Sequence, residues 1–223
     1  MSQTHILIVD DHEDIYENIS RKIAERFPDF KISIKDNCDA AFDVIKYSKQ
    51  NTPVTILILD LTFNGQHPNA LLPNGTSLLR TLKENKIQIN TIIYSSHDDL
   101  QHISPVIKNF EPASYVIKSN SSSKELLFAI EQCLVGKTYY SHTVHELQLK
   151  RVKYEFSIDE IDEQIIKHLP NKDSIKDWEG VVLKDNIPLS YKTISKRIKN
   201  LITQFDVDNE KQLLLKLQKL AIL

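Results

Sequence analysis

Four apolar runs in this chain each end on a residue that could do chemistry. HILIVD, residues 5–10, closes on the pair Asp10-Asp11. VTILILD, residues 54–60, closes on Asp60. INTIIYS, residues 89–95, closes on Ser95, and SYVIK, residues 114–118, on Lys118. A carboxylate at the end of a greasy run costs free energy unless a charge nearby compensates it. Carboxylates brought together raise one another's pKa unless a cation intervenes. A hard divalent ion fits, because Mg²⁺ takes oxygen ligands: carboxylates, waters and phosphate oxygens. Asp10, Asp11 and Asp60, joined by the backbone carbonyl of Thr62, would hold it. Lys118 and the Ser95 hydroxyl would suit the remaining oxygens of a phosphoryl group. Asp60 is then the nucleophile, since carboxylates form acyl phosphates, and metal plus ammonium supply the charge stabilisation that phosphoryl transfer needs.

These residues must be carried by strands that end at one edge. The runs at 5–10, 54–60, 89–95 and 114–118, with the alternating KISIKD at 31–36, read as strands. Ile15, Ile19, Ile23 and Phe27 recur every four residues and predict a helix. A further helix is expected over 39–50. Ser122 to Glu125 reads as a capping box opening a helix lined by Leu126, Leu127, Ile130 and Leu134. Apolar strands alternating with helices imply a parallel sheet covered on both faces. Five such units within residues 1–135 predict a flavodoxin-like (βα)5 domain, whose site lies beyond the carboxyl ends of the strands.

Residues 136–156 read as a partly helical linker, and 157–223 as a small all-α domain. Helices are expected over 158–169, opened by a capping box from Ser157 to Glu160, and over 174–184, 191–205 and 209–221. In SYKTISKRIKNLITQF, residues 190–205, Ile194, Ile198, Leu201, Ile202 and Phe205 fall on one stripe at helical spacing. Lys192, Lys196, Lys199 and Thr203 fall opposite, and the stretch holds no acidic residue. A helix that buries one face and shows lysines on the other suits a DNA major groove. It equally suits a solvated surface.

The totals set limits. A net charge of −2 excludes a globally driven association with nucleic acid or membrane. Residues 1–125 carry 13 Lys+Arg against 16 Asp+Glu, and residues 151–223 carry 13 against 12, so the acidic excess sits in front. Cys38 and Cys133 are far apart and in no C-x-x-C pattern, which reads as two packed thiols. No leader and no spanning segment is read, so a cytoplasmic protein without membrane contact is expected.

The set Asp10-Asp11, Asp60, Ser95, Lys118, with ILIVDDHE, LILDL, IIYSSHDD and SYVIKS around it, resembles the receiver domain of bacterial two-component response regulators. That likeness implies phosphorylation of Asp60 by a cognate histidine kinase. It further implies a switch in which Ser95 moves toward the phosphate and Tyr115, three residues before Lys118, changes rotamer. The S-x-K-T-I…R…N-L…F-x-V spacing of residues 190–207, with Leu213, Leu214, Leu217 and Leu220 behind it, is similar to the helix-turn-helix output domain of the NarL/LuxR type. It implies contacts to double-stranded DNA from Lys192, Lys196 and Lys199, with Thr193 on a phosphate, and a homodimer when phosphorylated. The expectation is therefore a non-enzymatic, Mg²⁺-dependent transcriptional regulator. One rival is a receiver whose α-domain binds protein. Another is an aspartyl-phosphate hydrolase, which would need D-x-D after the first strand where this chain has Asp10-Asp11-His12. Two departures stand out. Asp60 and Gly75 are fifteen apart, about seven more than in typical receivers, with Leu71 and Leu72 expected to pack the enlarged loop down. The usual scaffold helix is replaced by SIKDWEGVVLKDN.

Overall fold

The structure, a computed structural model, describes residues 3–48, 52–64, 69–119, 122–171 and 175–223. It divides into two compact units, one of residues 1–98 and 102–145 and one of residues 99–101 and 146–223.

The first unit is a parallel sheet in the order β2-β1-β3-β4-β5-β6. Its strands are β1 (His5–Val9), β2 (Lys31–Lys35), β3 (Ile56–Leu59), β4 (Asn90–Ser95), β5 (Ser114–Ile117) and β6 (Tyr139–Tyr140). The helices are α1 (Glu13–Arg26), α2 (Cys38–Tyr47), α3 (Gly75–Glu84), α4 (Leu100–Phe110) and α5 (Ser122–Leu134), followed by α6 (His142–Glu155). Strand alternation sorts the apolar residues to two faces. Ile6, Ile8, Ile56, Ile58, Ile92, Tyr94 and Val116 pack with Ile19 and Ile23 of α1 and with Leu126, Ala129 and Ile130 of α5. Leu7, Val9, Leu57, Leu59, Ile93 and Tyr115, of opposite parity, are buried as well. Each buried aliphatic side chain contributes about 1.5–3 kcal/mol, so both faces are held strongly and the register is set.

Two local readings change here. Ser122 does not form a capping box with Glu125. Its hydroxyl donates to Ser119 O (2.7 Å), and Glu125 instead accepts from the Tyr139 hydroxyl and the His142 amide, both at 3.1 Å. Glu125 thereby ties β6 and the start of α6 to α5. The strand β6 itself extends the sheet beside β5, with Ser114 opposite Tyr139 and Tyr115 opposite Tyr140. No strand was read in that stretch, because a two-residue strand has no period to detect.

The second unit holds α7 (Glu160–His168), a 3-10 turn (Ile175–Trp178), a hairpin of β7 (Leu183–Lys184) and β8 (Ile187–Pro188), α8 (Tyr191–Gln204) and α9 (Glu210–Lys219). Its core is Ile161, Ile165, Ile166, Trp178, Val182, Ile194, Ile198, Leu201, Phe205, Leu213, Leu217 and Leu220. The helix expected over 174–184 is absent among the described residues. Gly180 takes φ +88°, and Asp185 and Asn186 take φ +50° and +63°. Two consecutive positive-φ residues between antiparallel strands make the turn that matches strand twist, which the Asp-Asn pair supports. The N-terminal cap of α7 is Asp159, in a reciprocal box with Asp162, two residues beyond the Ser157 frame. Among the described residues no helix is long and apolar enough to cross a membrane.

Candidate functional site

The sheet ladder delivers the chemistry one residue past each strand. Asp10 N donates to Lys35 O (3.1 Å), Asp60 N to Val9 O (2.9 Å) and Lys118 N to Ser95 O (2.8 Å). The carboxyl ends of β1, β3, β4 and β5 are thus locked side by side, and Asp10, Asp11, Asp60 and Ser95 are all buried. Lys118 Nζ bridges two of the carboxylates, 2.8 Å from Asp10 Oδ2 and 2.7 Å from Asp60 Oδ2. Burial pulls the ammonium's pKa down, but Asp60 and Asp10 outweigh it and hold the pKa above its ordinary value. Lys118 also lies over the Tyr94 ring, 5.6 Å from its centre. Burial raises the Tyr94 phenol, whose oxygen is 2.7 Å from Ser122 Oγ. Asp60 Oδ1 accepts from the amides of Leu61 (2.6 Å) and Thr62 (3.3 Å).

Oxygen donors for a cation are present. Asp10, Asp11, His12 and Asp60 each bring one ligand atom to within 4.8 Å of the others. Asp11 Oδ2 accepts from Asn64 N (2.7 Å). Asp11 Oδ1 is buried and makes no hydrogen bond, since His12 Nδ1, although 3.0 Å away, is not aligned to donate to it. A buried carboxylate oxygen without a donor is what a bound cation would satisfy. The residues fit Mg²⁺, with Asp10, Asp11 and Asp60 as the carboxylate donors.

The remaining predicted positions can now be placed. Thr62 is exposed beside Asp60, and its hydroxyl oxygen is 3.1 Å from His97 Nε2. Tyr115 is fully buried in β5. Residues that the sequence reading passed over are His12, Asn64, Tyr94 and His97. The DDH and SSHDD motifs carried the signal for two of them. Cys38 lies close by, but burial and then Asp39, Asp60 and Asp11 push its thiol up to about 12, so it is inert packing.

The enlarged loop is pinned at both ends. Gly75 N donates to Leu61 O (3.2 Å), and a Cβ at Gly75 would lie 2.1 Å from Asp60 O. The loop therefore returns directly onto the backbone of Asp60. Leu71 does not pack it down, being 89% exposed. The anchor is instead Asp39, in the first turn of α2, which accepts from Leu71 N (2.9 Å) and Leu72 N (3.0 Å). These hydrogen bonds are charge-assisted, and Leu72, unlike Leu71, is half-buried. His67, within the loop, lies outside the described residues.

In the second unit α8 has the predicted two-faced form. Ile194, Ile198, Leu201 and Phe205 are buried and Ile202 half-buried, while Lys192, Thr193, Lys196, Lys199 and Thr203 are exposed. Arg197 does not join the exposed row. Its Nη1 donates to Asp159 Oδ2 (2.7 Å) and Asp162 Oδ1 (2.9 Å), fastening α8 to the cap of α7. Burial pulls the guanidinium's pKa down, but those carboxylates outweigh it and hold it above its usual value; burial likewise pushes Asp159 up, but the Asp162 amide and then Arg197 outweigh it and hold Asp159 below its usual range.

Sheet, pocket and following helical unit together have the fold of response regulators built from a receiver and a helix-turn-helix output domain. No family model and no curated protein matches the sequence. Among solved structures, the chain is similar to RcsB in a structure of two RcsB dimers bound to two parallel DNAs, with 19% identity and a TM-score of 0.62 over 98% of this chain and 99% of that one. It is similar to the RcsB response regulator of Salmonella typhimurium, at 19% identity and a TM-score of 0.63 over 97% and 98% of the two chains. A LuxR-family two-component response regulator from Aurantimonas sp. is 25% identical, with a TM-score of 0.52 over 65% of this chain and 94% of that one.

Proposed function

We propose that this chain is a DNA-binding transcriptional response regulator whose Asp60 accepts a phosphoryl group from a histidine kinase. The observation that carries the reading is the convergence of Asp10, Asp11, Asp60 and Lys118 around one buried carboxylate oxygen that has no donor. Mg²⁺, held by Asp10, Asp11 and Asp60 with the Thr62 carbonyl, would supply charge neutralisation for the incoming phosphoryl group. An oxygen of Asp60 attacks phosphorus, and the bond from phosphorus to the kinase histidine nitrogen, or to acetate from acetyl phosphate, breaks. The amides of Leu61 and Thr62 orient the Asp60 carboxylate beforehand. Lys118, held charged by Asp10, exchanges its contact with Asp60 for a phosphoryl oxygen. Ser95, at the end of β4, provides a hydroxyl for another, and Tyr115 follows it. The response reaches DNA through Lys192, Lys196, Lys199, Thr193 and Thr203 of α8, as a homodimer.

Acetyl phosphate with Mg²⁺ should label the wild-type protein and not Asp60→Asn. Label that persists in Asp60→Asn refutes the acceptor assignment. Selected DNA fragments should bind with a steep salt dependence, and the double variant Lys196→Glu, Lys199→Glu should lose binding while staying folded. One observation favours the other reading, in which the second unit binds protein. The hairpin that stands in place of a scaffold helix and the turn before it expose Ile187 and Val181, 67% and 48% accessible. Unchanged DNA affinity in the double variant would select that reading.

A further inference from the structure

The enlarged loop leaves Asp60 and meets the acidic pocket again at Asn64. Two contacts come from this one residue. Its backbone amide donates to Asp11 Oδ2 (2.7 Å), and its side-chain nitrogen lies 2.9 Å from His12 Nε2. His12 carries the line onward. Its Nδ1 is 3.2 Å from Asp10 Oδ1, which also accepts from the His12 amide (3.0 Å). Asn64 and His12 are exposed, while Asp10 and Asp11 are buried.

The chemistry of the donors gives this line a direction. The nitrogen of a side-chain amide only donates, so His12 Nε2 accepts and holds the ring's lone pair. The ring proton then sits on Nδ1 and is donated to Asp10 Oδ1. One neutral tautomer satisfies both contacts, and it turns no lone pair toward the carboxylates. That matters because a nitrogen of His12 stands among the possible ligand atoms of the pocket. His12 Nδ1 is 3.0 Å from Asp11 Oδ1 and 3.2 Å from Asp10 Oδ1. Donors at right angles on one ion, with bonds of about 2.1 Å, are about 3 Å apart. In the other tautomer Nδ1 is therefore a ready ligand beside the two carboxylates, and imidazole favours Zn²⁺ over Mg²⁺.

The backbone contact bears on the ion more directly. Asp11 is held through Oδ2, and its Oδ1 is buried with no hydrogen bond. A carboxylate fixed through one oxygen presents the other in a set direction, as outer partners do for metal ligands.

We propose that Asn64 is a positioning residue that sets which ion the acidic pocket takes. Its amide aims Asp11 Oδ1 at the ion. Its side chain locks His12 in the tautomer that leaves the ion oxygen ligands alone, the set that suits Mg²⁺. The inference rests on the proposed cation reading of the pocket. It also gives the enlarged loop a use, since the anchors at Asp39 and Leu61 hold the segment that carries Asn64.

The test uses chelator-treated full-length protein with Mn²⁺ as the probe. Electron paramagnetic resonance reads bound Mn²⁺ while Mg²⁺ or Zn²⁺ displaces it, and Asp11→Asn, which should lose the Mn²⁺, locates the probe. Asn64→Ala keeps the backbone amide and removes the contact to His12. Its ratio of Zn²⁺ to Mg²⁺ affinity should rise about tenfold or more, and should return to the wild-type ratio when His12→Gln is added. Asn64→Pro, which lacks the amide as well, should bind Mg²⁺ about 10–100-fold more weakly. Circular dichroism checks that each variant is folded. An unchanged ratio in Asn64→Ala, a gain that persists in the double variant, or unchanged Mg²⁺ affinity in Asn64→Pro overturns the proposal and leaves the cation reading standing. Absence of Mn²⁺ binding by wild type, or binding that survives Asp11→Asn, overturns the cation reading and this inference with it.

Discussion

Gly75→Ala is the sharpest structural test of how the enlarged loop meets the backbone of Asp60. The added Cβ would lie 2.1 Å from Asp60 O, 2.9 Å from Leu61 Cα and 3.0 Å from Asp60 C, all backbone atoms. No flexible side chain can yield, so α3 and the backbone of Asp60 must part by about 1.3 Å to reach an ordinary contact of about 3.4 Å. Overpacking of this kind costs about 1–3 kcal/mol. The bond from Gly75 N to Leu61 O stretches with it and costs about 1 kcal/mol more. The expected loss is about 2–4 kcal/mol. At a urea m-value of about 2 kcal/mol/M this lowers the midpoint by about 1–2 M. Far-UV circular dichroism follows it. Trp178, the chain's one tryptophan, lies in the second unit, so its fluorescence reports on that unit alone. Gly136→Ala is the control: its Cβ meets nothing within 4 Å, and only the strain of φ +70° remains, about 1 kcal/mol. The geometry is refuted if Gly75→Ala unfolds at the wild-type midpoint, or if Gly136→Ala is the more damaging of the two. Acetyl-phosphate labelling should fall with Gly75→Ala, because the carbonyl that moves belongs to Asp60, the proposed acceptor.

Arg197→Ala should destabilise the second unit by about 1–2 kcal/mol, read from Trp178 fluorescence in urea, by removing a charged donor shared between Asp159 and Asp162. It should weaken the proposed DNA binding only through α8 placement, so its salt slope should match wild type. Asp39→Ala should free the amides of Leu71 and Leu72 and raise their hydrogen exchange by about tenfold or more; unchanged protection would mean that the loop is held elsewhere. His5 is buried between Thr52 O (3.0 Å) and Ser33 Oγ (2.9 Å), and burial lowers its pKa. The unfolded chain takes up that proton first, so the stability His5 confers is complete above about pH 6.5 and is lost as pH falls from there through the lower folded pKa. The slope should not exceed about 1.4 kcal/mol per pH unit and should vanish in His5→Gln, as urea midpoints across that range would show.

Periodicity alone made the doubly wound sheet legible, because buried parallel strands must be apolar on both faces and the helices that cover them must carry a stripe. The order of strand ends then places Asp10, Asp11, Asp60, Ser95 and Lys118 at one edge of the sheet. The two faces of α8 were equally plain, since burial of Ile194, Ile198, Leu201 and Phe205 follows from spacing. Interactions between residues far apart in sequence were not legible. Nothing in the order of residues says that Asp39 holds Leu71 and Leu72, that Arg197 belongs to Asp159 and Asp162, or that Glu125 reaches His142. Residues 174–184 misled because apolar spacing there suits a helix, whereas the chain turns at Gly180 and again at Asp185 and Asn186, all at positive φ, and still buries Trp178 and Val182. Local pattern determines which residues face inward. Which polar group meets which is decided by chain return in three dimensions, and in this protein those meetings anchor the enlarged loop, orient α8 and bring His97 to Thr62.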